Sequence, residues 1–85
     1  MNISFVNGGW TDYQWWVVTG NKKSLKRLAQ LIEDIKRNGY SGIGKPEPLK
    51  GNKSGWWSRR IDDEHRLVYR IKNDTIEISA CKDHY

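Results

Sequence analysis

The spacing of apolar residues in this 85-residue chain changes from a helical to a strand period between Gly39 and Gly55, and that change restricts the fold more than any other feature. Before it, Leu25, Leu28, Leu31, Ile32 and Ile35 form one stripe of a 3.6-residue period, while Lys26, Arg27, Glu33, Asp34 and Lys36 lie mostly off it. Gly39 supplies a stop, so the spacing predicts a helix over residues 22–38. A weaker stripe precedes it: Trp10, Tyr13 and Val17 stand at i, i+3 and i+7, on one face of a helix that Gly20 would end. Asn7 can cap that helix, and Gly8 and Gly9 weaken its first turn through their backbone entropy.

Beyond the loop at 40–55, marked by Pro and Gly, the period falls to two. Residues 56–61, 66–71 and 75–81 alternate as strands, with Asp62-Asp63-Glu64 and Lys72-Asn73-Asp74 as the hairpin turns between them. Residues 2–6 are a further short strand candidate. The expected class is α+β, a helical hairpin packed on one face of a twisted antiparallel sheet, as one domain over 1–85. Parity then assigns faces: Leu67, Tyr69 and Ile71, with Ile76, Ile78 and Ala80, turn towards the helices. Arg66, Val68 and Arg70 turn the other way. Trp56 and Trp57 also point to opposite faces, with core packing the expected role for either.

A domain of this size removes only about two-thirds of its unfolded surface from water. Large rings compensate, with five Trp, four Tyr and one Phe each able to bury roughly 150–250 Å². The single cysteine, Cys81, can close no disulfide within the chain, stands in no metal-ligand spacing, and reads as a small packed residue. His65, among turn acids, reads as structural. No window approaches the ~18 apolar residues of a membrane span, and the first residues lack the pattern of a signal peptide, so a cytoplasmic location and no membrane partner are expected. A net charge of +5 favours encounter with nucleic acid or an acidic protein. The arginines opposite the helices make a platform on which single-stranded RNA or an acidic peptide can lie, or are solvated residues paired with turn acids.

Within KPEPLKGNKSGWWSRR, from position 45, Glu47 is the lone carboxylate among Lys45, Lys50, Lys53, Arg59 and Arg60. Taken alone it reads as a loop acid bridging Lys45 or Lys50. The wider pattern is more specific. GKPEPLK at 44–50, SGWWSRRI at 54–61, EHRLVY at 64–69 and the terminal HY at 84–85, in this order and spacing, resemble the YoeB/Txe family of bacterial toxins within the RelE/ParE superfamily. WTDYQWW at 10–16 and the long helix extend the likeness over nearly the whole chain. Asn7-Gly8-Gly9 and Ala29 depart from the family's usual residues.

The resemblance implies a ribosome-dependent messenger-RNA endonuclease of RelE-like fold, inhibited by a cognate YefM/Axe-like antitoxin with an acidic C-terminal segment, and able to form a homodimer. It places Glu47 as general base, Arg66 as transition-state stabiliser, His84 as general acid and Tyr85 as a substrate-positioning residue. Lys50, Arg59 and Arg60 become RNA-binding residues. No cofactor is implied, because RNA carries its own nucleophile in the 2′-hydroxyl: a carboxylate can take its proton, a guanidinium can hold phosphoryl oxygens, and an imidazole can protonate the leaving group. Regular alternation would send His84 to the helix side, away from Arg66, so a break near Lys82-Asp83 is expected. The alternatives are a non-catalytic inhibitor of a partner protein or ribosomal RNA, and an isolated RNA-binding module.

Overall fold

The computed structural model describes residues 1–83. In chain order these form β1 (Asn2–Phe5), α1 (Gly9–Val18), α2 (Lys22–Asn38), β2 (Glu47–Pro48), a single 3₁₀ turn (Gly51–Lys53), β3 (Trp57–Arg60), β4 (Arg66–Lys72) and β5 (Thr75–Ala80). The strands make one sheet in the order β1-β5-β4-β3-β2. Strands β2 to β5 pair antiparallel, as the hairpin turns require, whereas β1 joins the edge parallel to β5 and makes the sheet mixed. Alternation carries no information about pairing direction; the α1–α2 crossover sets it, returning the chain to the far side of the sheet.

Helix α2 has the expected bounds. Asn21 caps it by accepting the Ser24 N–H at 3.1 Å, and Gly39, at φ 66°, ends it. Leu28, Leu31 and Ile35 reach 2% exposure or less against Leu67, Tyr69, Ile76 and Ile78. The expected stripe of α1 is rotated in the structure. Trp10 and Val17 stay half exposed, and Trp16 is the residue that enters the core, at 1% exposure. The cause is Gly9, which Asn7 does not cap: a Cβ there would collide with the Ile78 carbonyl, so the missing side chain lets this end of α1 rest directly on β5.

A second departure lies in β5. Val68 pairs with Ala80 but Tyr69 pairs with Ile78, leaving Ser79 as an extra residue in a bulge. The bulge inverts parity: Ala80 joins the face of Val68, and Cys81 turns into the core at 1% exposure. The expectation that Ala80 faces the helices with Ile76 and Ile78 therefore fails. Trp57 packs against the core, while Trp56 lies on the opposite face under Arg70, whose guanidinium carbon is 4.4 Å from its ring centre. Among the described residues, no helix is long and apolar enough to cross a membrane.

Candidate active site

The two faces of β3 separate the basic residues. Arg59 points towards the helices and is 0% exposed. Its Nη1 donates to Asp34 Oδ2 at 2.5 Å and to the Ile43 carbonyl at 3.1 Å. Its Nη2 donates to the carbonyls of Gly39 and Ser41, at 2.9 and 2.7 Å, and its Nε to the Tyr69 hydroxyl at 3.1 Å. All five donors of the guanidinium are used. Arg59 is thereby withdrawn from the expected RNA-binding set: it closes the loop after α2 onto the sheet, and no donor remains for a phosphate.

The helix-free face is organised by strand register. Directly opposed residues on neighbouring strands share a face, so Glu47, Ser58, Val68 and Ala80 form one row across β2, β3, β4 and β5. Ser58 and Val68, at 5% and 2% exposure, are its floor, and Glu47 stands exposed at its edge. Two residues along, Arg60 is paired directly with Arg66 on the same face. From two strand spacings and two residues of rise, the Cα atoms of Glu47 and Arg66 are about 12 Å apart, a gap that a Glu and an Arg side chain can close around one phosphodiester.

The electrostatics of this row favour an anion. Like charges directly opposed across strands are destabilising, so the Arg60–Arg66 pair lacks a folding rationale of its own. Arg66 Nη1 donates to the carbonyls of Asp62 and His65, at 3.0 and 3.2 Å, and to no carboxylate among the described residues. Arg60 has a buried Nε without a hydrogen-bond partner there. The expectation that strand arginines pair with turn acids thus fails for Arg66; Arg70, by contrast, bonds Glu77 at 2.5 Å, an acid of the neighbouring strand. Glu47 forms no ion pair with Lys45 or Lys50 among the described residues. Lys50 is exposed at the start of the 3₁₀ turn, three positions from Glu47.

His84 and Tyr85 lie outside the described residues. The chain leading to them shows the expected break: β5 ends at Ala80, residues 82–83 bend, and Asp83 takes φ 61°. Two contacts behind the candidate site were not foreseen from the sequence. Asp34 read as an off-stripe surface acid, yet it is buried with Arg59, and its Oδ1 accepts from Asn38 at 2.8 Å. The guanidinium beside it, with the Ile43 N–H and Asn38, holds the Asp34 carboxyl below its ordinary value against the opposing effect of burial. Burial pushes the Tyr69 phenol up, so it stays protonated and donates to the Gly39 carbonyl at 3.2 Å. The second omission is the His65 ring, which bonds the Asp83 N–H at 2.7 Å.

Two helices thus cover one face of a small sheet, and the other face carries Glu47 and the opposed Arg60 and Arg66. The backbone matches YafQ from Escherichia coli with a TM-score of 0.79 at 13% identity, over 98% of this chain and 92% of that one, so the fold is that of the RelE-like toxins. The chain belongs to the family of YoeB-like toxins of bacterial type II toxin–antitoxin systems, whose model matches residues 5–85. It is 51% identical to Toxin YoeB of Streptomyces coelicolor and 47% identical to Toxin YoeB of Escherichia coli, each over 85 residues and 100% of both chains. Among solved structures, a YoeB/ParE toxin from Agrobacterium tumefaciens superposes with a TM-score of 0.94 at 40% identity over 100% of both chains. A YoeB-YefM complex from Staphylococcus aureus gives 0.90 at 46% identity, covering 100% of this chain and 98% of that one.

Proposed function

We propose that this type II toxin is an endoribonuclease that cleaves messenger RNA on the translating ribosome. The 2′-hydroxyl beside the scissile phosphate is the nucleophile. Glu47 takes its proton as that oxygen attacks phosphorus, Arg66 and Arg60 neutralise the charge that grows on the phosphoryl oxygens, and His84 protonates the departing 5′-oxygen. The products are a 2′,3′-cyclic phosphate and a 5′-hydroxyl end. Tyr85 positions the substrate and Lys50 adds to the field around it.

The observation that carries this reading is the shared face: one exposed carboxylate on β2 shares its face with a pair of opposed arginines on β3 and β4 that have no carboxylate partner among the described residues. So small a binding surface depends on the ribosome to present the RNA in a reactive geometry. The partner is a YefM-like antitoxin with an acidic segment that covers the same basic face, as a relative from Staphylococcus aureus is found in complex with YefM. That relative is also solved as a dimer, and we assign this chain the same capacity for self-association.

Message cleavage on ribosomes tests the assignment. Glu47→Gln should slow it by about 10²–10⁴-fold, with ribosome binding retained, and His84→Gln should do likewise. Native-rate cleavage by Glu47→Gln removes Glu47 as the base. Intact messages on arrested ribosomes with the native protein would replace the nuclease with a non-catalytic inhibitor.

A further inference from the structure

We propose that His65 is a positioning residue whose imidazole holds the segment leading to the general acid and locks it to Arg66. The proposal rests on the reading of His84 as that acid. His65 is 8% exposed, with its ring edge-on to Trp16 at 4.8 Å and 6.0 Å from Trp15. Its Nδ1 accepts the Asp83 N–H at 2.7 Å. A ring nitrogen that accepts carries no proton, so the proton sits on Nε2, which faces the Glu64 carboxylate at 3.3 Å. The Asp83 carbonyl in turn accepts the N–H of Arg66 at 2.9 Å. Both backbone groups of Asp83 are thus bonded to two consecutive residues, His65 and Arg66.

The turn has no need of this ring. Asp62 Oδ1 already accepts the N–H groups of Glu64 and His65, at 2.8 and 2.7 Å, and the Ile61 N–H bonds the His65 carbonyl at 3.0 Å. The imidazole is therefore free to act on another part of the chain. That part turns sharply after β5 at Asp83, whose φ of 61° lies in the left-handed region that an Asp tolerates. Two residues earlier, the Trp16 indole N–H donates to the Cys81 carbonyl at 2.7 Å and Asp12 accepts the Cys81 N–H at 3.0 Å. The tail is pinned from Cys81 to Asp83, and the last bond comes from the same turn whose carbonyls hold the Arg66 guanidinium. Residue 83 immediately precedes His84 in the chain, so the His65 ring ties the residue before the proposed acid to the turn that holds the proposed phosphate-binding arginine.

The test compares His65→Asn with His65→Leu, side chains of similar size of which only Asn offers an acceptor near the position of Nδ1. His65→Leu should lower the saturating cleavage rate on ribosomes about 10–100-fold, the scale of a misplaced catalytic group, with the half-saturating ribosome concentration unchanged. His65→Asn should recover most of that loss. Added to His84→Gln, the Leu change should cost nothing further, since the two act as one unit. Amide hydrogen exchange at Asp83 reads the tether independently of activity, and should accelerate in the Leu variant only. Unchanged exchange at Asp83 overturns the tether. Native-rate cleavage by His65→Leu, with His84→Gln slow, overturns the positioning role. If His84→Gln cleaves normally, the acid assignment falls, and the exchange data still decide the tether.

Discussion

Asp34 and Arg59, 25 positions apart, meet at 2.5 Å with the guanidinium completely buried. The bond joins the last turns of α2 to the middle of the sheet, and three further carbonyls of the following loop converge on the same guanidinium. It thereby sets the course of the chain into β2, where Glu47 is presented.

Removing one partner should be costly. Asp34→Asn leaves the Arg59 charge buried and uncompensated, which is expected to lower stability by about 3–5 kcal/mol. The pair also predicts the acid limb of the stability profile. Because the folded Asp34 pKa lies below its ordinary value of 3.8, its contribution is present above that value and is lost as pH falls through the folded pKa. Urea unfolding at pH 7 and pH 3 should show a smaller difference between the two conditions for Asp34→Asn than for the native chain.

Gly9→Ala separates local preference from tertiary contact. Helix propensity favours Ala over Gly by roughly 1 kcal/mol, yet a Cβ at this position would meet the backbone carbonyl of Ile78, which no rotamer change can relieve. A net loss of about 1–3 kcal/mol is expected from the overpacking. Chemical denaturation of the Ala variant measures it, and a gain in stability would show that α1 does not rest on β5 through this residue.

Arg60→Gln should separate function from stability. The substitution removes a like-charge cross-strand pair, so folding stability should hold or rise by about 0.2–1 kcal/mol, while the proposed ribosome-dependent cleavage should fall by about 10²–10³-fold. Denaturation curves and cleavage rates on one preparation test both halves.

Cys81 is buried and its thiol is pushed up to about 12, chiefly by burial and further by the Asp12 carboxylate. The thiolate fraction at pH 7–9 is then negligible, and a thiol reagent should label the native protein very slowly and the urea-unfolded protein at once. Fast labelling of native protein would mean that the junction between α1 and the tail opens readily.

Local pattern was a dependable guide where the decisive interactions are near in sequence. The bounds of α2, the two hairpin turns and the face of Tyr69 follow from residues within a turn or a strand of one another. Of the candidate site, alternation put Arg66 on the helix-free face, and the segment that carries Glu47 was marked by its prolines. The errors are long-range. Burial of Arg59 depends on Asp34, the phase of α1 on Ile78, and the facing of Ala80 on one extra residue in β5.

The sequence by itself therefore determined both helices and every strand but the two-residue β2, which lies in the segment read as a loop, together with the family the chain resembles and the residue types at the candidate site, because periodicity and motifs are properties of neighbours. The tertiary structure alone decided which of two adjacent arginines is withdrawn into the core and which stays on the helix-free face, and to what Asp83 is tied. Those outcomes depend on contacts between residues far apart in the chain, where a single bulge or a missing Cβ redirects a side chain that alternation had placed elsewhere.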